Sequence, residues 1–159
     1  MKTKAVLAGL LTLLAITACE QKPTADSILQ KILAEYDSEN FLKKHAILAI
    51  PLEGCSPCIE QSIAFVKENF EEEKIGYIIS SISPKVTKFT IGQKAYESDN
   101  VLMDHHLKAV EFQLIPSAPG LFYLENGRVT RFIYLDSNNS KATLTALIND
   151  LTNHGKSDF

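Results

Sequence analysis

The stretch HAILAIPLEGCSPCIEQSIAFVKENF, residues 45–70, decides how the chain folds. His45 to Ile50 is an apolar run without alternation, which predicts a strand covered on both faces, and Pro51 closes it. Ile59, Ile63, Val66 and Phe70 follow at spacings of four, three and four, while Glu60, Lys67, Glu68 and Glu71 face elsewhere. That pattern predicts a helix with one buried stripe. At the junction stands Cys55-Ser56-Pro57-Cys58. If Cys55 opens the helix, both thiols fall within one turn on the same side, close enough to form a disulfide. A helix N-terminus favours negative charge, so the first thiol should ionise more readily than a free one.

Outward from this junction, Ile75-Gly76-Tyr77-Ile78-Ile79 reads as a second buried strand. Strand, helix and strand in about forty residues imply a right-handed parallel unit, with the cysteine turn at the carboxyl end of its first strand, where open α/β sheets gather ligands. Upstream, Ile28, Leu29, Ile32, Leu33 and Tyr36 repeat at helical spacing, which predicts a helix over about 25–38 capped by Thr24 or Asp26. Downstream, 83–100 reads as an insertion in which Val86 to Ile91 is a short edge strand. Met103, Leu107, Val110 and Leu114 return to helical spacing, with Asp104 as cap and a stop before Pro116. Leu121–Glu125 and Arg128–Leu135 flank Asn126-Gly127, a strong signal for a two-residue hairpin. Leu144, Leu147, Ile148 and Leu151 mark a closing helix, capped by Ser140 or Asn139.

The N-terminus reads differently. Met1-Lys2-Thr3-Lys4 is a basic leader, and Ala5 to Ile16 is apolar but too short to span a bilayer as a mature helix. Ile16-Thr17-Ala18-Cys19 follows, and this ending resembles the lipobox of bacterial lipoproteins. The resemblance implies removal of residues 1–18 and diacylation of Cys19, with 19–24 as a tether. Two acyl chains hold a protein firmly to a membrane. The domain, residues 25–159, is then expected outside the cytoplasm, facing the periplasm or the cell surface. Loss of Lys2 and Lys4 leaves 14 basic against 19 acidic side chains. With no basic patch, nucleic acid is excluded as a partner.

The cysteine count fits this division: one lipid anchor plus one pair, in a setting where disulfides persist. His105-His106 are neighbours on a predicted helix and point apart, so they read as surface residues, and no metal site is expected. His45 reads as structural and Glu71-Glu72-Glu73-Lys74 as a charged helix end.

The order from His45 onward, with the cysteine pair opening the first helix and Ala118-Pro119 just before the hairpin, resembles the thioredoxin superfamily over about residues 44–153. The separation from Pro119 to Asn126-Gly127 selects Pro119 over Pro116. The resemblance implies an α/β, thioredoxin-like fold: a central mixed sheet built from a βαβ unit, a helix, an antiparallel hairpin and a C-terminal helix, here with an extra N-terminal helix. It further implies that Cys55 is the attacking thiolate, Cys58 the resolving thiol, and Pro119 a cis-proline that turns the Ala118 backbone toward the cysteines. Ser56, Pro57, Ala118 and Pro119 would touch substrate. No cofactor beyond the cysteine pair is implied. The expected partners of this monomeric domain are protein or peptide thiols and disulfides, and a membrane electron-transfer partner.

The chain departs from the family at two positions. Gly54 stands where thioredoxins carry Trp, and Ala49 where they carry a buried Asp that moves a proton for the resolving thiol. Glu53 and Glu60 are nearby but read as solvated carboxylates. Two rivals stay open. One is a binding or chaperone module of a secretion or peptide-maturation system, with a fixed disulfide; the other is a peroxide-reducing enzyme on the same fold.

Overall fold

The computed structural model describes residues 23–54 and 56–154. The expected leader, Cys19 and Cys55 lie outside the described residues. Six-residue β1 (Ala46–Pro51) is buried at every position, as its unbroken apolar run requires. It runs parallel to β2 (Ile75–Ser80), with Ala46 opposite Ile75 and Pro51 opposite Ser80. Between them lies helix α2 (Ser56–Asn69). The Tyr77 hydroxyl, donating to Asn69 O at 2.8 Å, ties the end of this helix to β2.

The region after β2 corrects the sequence reading twice. Val86 to Ile91 is not an edge strand but part of helix α3 (Pro84–Ile91). The Ser83 hydroxyl accepts from Val86 N–H, Pro84 occupies the first turn, and Thr87 and Ile91 turn inward. A cap and an N-terminal proline thus outweigh the branched composition that suggested a strand. A short helix α4 (Gln93–Tyr96) follows. The helix expected over Met103–Leu114 is instead strand β3 (Val101–Asp104), parallel to β2, and one turn of helix α5 (Lys108–Glu111). A strand leading into a helical turn reproduced the helical spacing by coincidence. Positive φ at Leu107 (55°) and Gln113 (62°) marks the breaks on either side of α5. Asp104 does cap, as expected, accepting from Lys108 and Ala109 N–H at 2.7 and 2.9 Å.

Strands β4 (Gly120–Glu125) and β5 (Arg128–Tyr134) form the expected antiparallel hairpin, with a register shift between Tyr123 and Leu124. Asn126 (φ 51°) and Gly127 (φ 76°) take the left-handed conformation that a two-residue turn of this kind demands. β4 pairs antiparallel with β1, giving a five-stranded mixed sheet in the order β3-β2-β1-β4-β5. The closing helix α6 (Ser140–His154) starts where expected. Its proposed caps behave otherwise: the Asn139 side chain accepts from Asp136 N–H and the Ser140 hydroxyl donates to Asp136 O.

Helices cover both faces. Ala46, Leu48 and Ile50 alternate with Ile47 and Ala49, so β1 feeds two cores. One core receives Ile59, Ile63 and Val66 of α2, Ile91 and Ala95 of α3 and α4, and Leu144, Leu147 and Leu151 of α6. The other receives Leu29, Ile32 and Leu33 from helix α1 (Ala25–Glu35), Phe41 from a 3-10 turn (Glu39–Lys43), and Ala109. Helix α1 begins with Thr24 accepting from Ser27 N–H and ends three residues short of expectation. It crosses from one sheet edge to the other. Asp26 in its first turn accepts from Val129 N–H and Arg128 on β5, both at 2.9 Å. Tyr36 at its C-terminal end donates to Asp104 on β3 at 2.6 Å. Eleven residues of helix reach about 16 Å, nearly the width of five strands.

Candidate functional site

The carboxyl ends of β1 and β2 place the site. Leu52 N–H donates to Ser80 O at 3.0 Å, so β1 leaves the sheet beside β2 and the chain rises through Leu52, Glu53 and Gly54 to the start of α2. Ser56 and Pro57 are exposed on the first turn, where a missing proline N–H costs nothing. Cys58 follows, fully buried and disulfide-bonded. The remaining cysteines, Cys19 and Cys55, are outside the described residues. One turn on, the buried Ser62 hydroxyl donates to Cys58 O at 2.8 Å. The positive end of the α2 dipole therefore lies at this sulfur's turn.

Across from the turn runs the segment before β4. Ser117 is exposed, Ala118 half-buried and Pro119 buried. Pro119 O accepts from Leu135 N–H at 2.8 Å, which extends the hairpin ladder by one rung and fixes the proline against β5. The structure brings this segment to the cysteine turn through Gly54. Its φ is +138°, and a Cβ there would collide with the Ser117 carbonyl. Gly54 is thus required by the backbone on both sides, a reason invisible in the local sequence.

The expected cis bond before Pro119 is absent: among the described residues no peptide bond is cis. An X–Pro bond favours trans by about 0.5–1 kcal/mol unless the fold forces the other isomer. Here the Pro119 carbonyl joins the β-ladder with the bond in trans.

Ala49 is fully buried on the α1 side of β1, opposite Gly120. Glu53 and Glu60 are both exposed. Asp104 is the only fully buried carboxylate among the described residues. The sequence offers it only as a cap, yet it also accepts from Ser80 at 2.7 Å and Tyr36 at 2.6 Å. Both oxygens are committed, and the four donors bind α1, β2, β3 and α5 into one corner. Burial, with the Asp104 carboxylate beside it, pushes the Tyr36 phenol up from its ordinary value. An acid directly after the apolar Val101-Leu102-Met103 was the available signal for this cluster.

His105 and His106 lie in the turn after β3, not on a helix. The His105 Nδ1 is 3.3 Å from Ser81 O, and His106 stacks on Tyr36 with ring centres 6.4 Å apart. His45 sits just before β1 with its ring edge-on to Tyr123 at 6.2 Å. Among the described residues no helix is long and apolar enough to cross a membrane. No family model matches the chain, and no curated protein matches it.

Proposed function

We propose that the protein is a thiol-disulfide oxidoreductase of thioredoxin-like fold, held outside the cytoplasm by a lipid on Cys19. The observation that carries this reading is the disulfide-bonded, buried Cys58 in the first turn of the helix after the central strand, three residues beyond Cys55. Strand order and the antiparallel hairpin beside β1 agree with the thioredoxin plan, with β3 added at one edge.

In the reductive direction, the Cys55 thiolate attacks one sulfur of a substrate disulfide and the other sulfur leaves as a thiolate. Cys58, deprotonated, then attacks Cys55. The substrate departs with both its sulfurs as thiols, and Cys55 and Cys58 are left as a disulfide. Two electrons and two protons pass to the substrate, and a dithiol donor must restore the pair. With Ala49 in place of an acid, the proton from Cys58 leaves through water.

Replacing Cys55 by Ser in the full chain should abolish reduction of insulin disulfides; unchanged activity would contradict the reading. A second reading, a binding module with a fixed disulfide, draws support from the trans bond at Pro119 and from the apolar layer around Ala49.

A further inference from the structure

Five large apolar side chains are exposed among the described residues, and three of them stand together at α3: Ile82 at 69 %, Val86 at 53 % and Phe89 at 90 %. Val86 and Phe89 are one helical turn apart, and Ile82 precedes the N-cap Ser83. Thr87 and Ile91 anchor the opposite side of the helix in the core. Nothing in the packing of α3 therefore requires a phenylalanine at 89. An exposed apolar cluster of this kind marks a contact surface.

Its position links it to the candidate site. β1 and β2 end side by side, Pro51 opposite Ser80, so the cysteine turn and Ile82 leave the sheet at neighbouring points. Helix α3 packs along α2, which carries Cys58. Lys85 is exposed within the stripe and gives it a positive charge, whereas Lys88 beside it lies 3.8 Å from Glu97. The chain that would lead to a lipid on Cys19 joins elsewhere. It enters α1 at the Asp26–Arg128 pair, at the hairpin end of the outermost strand on the other sheet edge. From Cys19 to Pro23 it can cover at most about 14 Å. A lipid on Cys19 would thus attach through the end of α1 that is tied to β5, not through α3.

We infer that Ile82, Val86 and Phe89, with Lys85, form a docking face for an unfolded, acidic polypeptide whose disulfide is presented to the neighbouring cysteine turn. The inference rests on the oxidoreductase reading for its substrate class. An unfolded segment offers apolar side chains that can cover the stripe, and its carboxylates meet Lys85. A small disulfide reaches the turn without touching α3.

The test uses the full chain in nanodiscs of zwitterionic lipid and, as probe, fluorescent lactalbumin that has been reduced and carboxymethylated. This probe is unfolded, acidic and free of thiols. Phe89→Ser should weaken probe binding about tenfold, the scale of losing one aromatic anchor. Lys85→Glu should weaken it less and flatten its salt dependence. Once the pair has been reduced with a dithiol and the excess removed, Phe89→Ser should reduce 5,5′-dithiobis(2-nitrobenzoate) at the wild-type rate, since an exposed, uncharged substitution leaves the fold intact. Probe binding unchanged in Phe89→Ser overturns the inference. So does an equal loss on the small disulfide, or an effect of Phe89→Ser confined to vesicle binding or to self-association in sedimentation. A wild-type protein that binds the probe through Phe89 but reduces neither insulin nor 5,5′-dithiobis(2-nitrobenzoate) sustains the docking face and overturns the oxidoreductase reading instead.

Discussion

The Ser117 carbonyl fills the space where a side chain at Gly54 would begin. This contact joins the loop that leads to Cys55 with the segment that leads to Pro119, two parts of the chain separated by more than sixty residues. Gly54→Ala must therefore displace the Ser117–Pro119 segment while also adopting a φ that L residues rarely take. The expected loss is about 2 kcal/mol or more, read as a lower urea midpoint with the disulfide intact. A Gly54→Ala protein as stable as wild type would show that the two segments are not tightly apposed.

Tyr36 and Asp104 hold the opposite end of α1 to the edge strand. Tyr36→Phe removes a hydrogen bond to a carboxylate, which costs about 1.5–3 kcal/mol. Asp104→Asn should cost more, since the new amide NH2 opposes donors that the carboxylate accepts. The phenol's folded pKa is raised, so its contribution is complete below the unfolded value, about 10, and is lost as pH rises beyond it. Wild type should accordingly lose stability above pH 10 more steeply than Tyr36→Phe, in denaturation series at matched ionic strength.

At the other end of the same helix, burial opposes ionisation of Asp26, but the Val129 N–H and Arg128 outweigh it and lower the carboxyl pKa. A lowered folded pKa gives stability that is present above the unfolded value, about 3.9, and lost as pH falls through the folded one. Asp26→Asn should cost about 1 kcal/mol at pH 7, mostly by removing the charge from the acceptor of the Val129 N–H, because Arg128 is 71 % exposed and screened by solvent. The gap between the two proteins should close on acidification below pH 4. A gap that stays constant with pH would assign the effect to packing.

The centre of the fold was legible because its signals are local. An unbroken apolar run made β1, a regular stripe made α2, and Asn126-Gly127 allowed only a tight hairpin. From Ser83 to Leu114 the signals competed. Val86 and Ile91 favour a strand by composition, while Ser83 and Pro84 start a helix, and the start signal prevailed. Met103 and Leu107 kept helical spacing across a strand end and a left-handed turn, which sequence spacing cannot distinguish from a helix.

The same division holds at the site. Order and register single out Pro57, Cys58 and Pro119 as candidates, and the structure places the first two in the first turn of α2 and Pro119 just before β4. Gly54 against Ser117 depends on long-range approach and leaves no local trace, and of the four donors gathered on Asp104 the sequence hints only at the acid itself, set directly after an apolar run. The isomer before Pro119 was carried over from a resemblance, and the trans bond corrects it.

The central claim is that the bridge at Cys58 is a working redox couple, and its reduction potential tests this most directly. Equilibration of the full chain with graded thiol-disulfide buffers, followed by trapping and mass measurement, gives that value. Cys55 and Cys58 should show reversible two-electron behaviour at a potential above about −300 mV, within reach of biological dithiols. A value well below about −300 mV, where structural disulfides lie, would contradict it and make the bridge a staple.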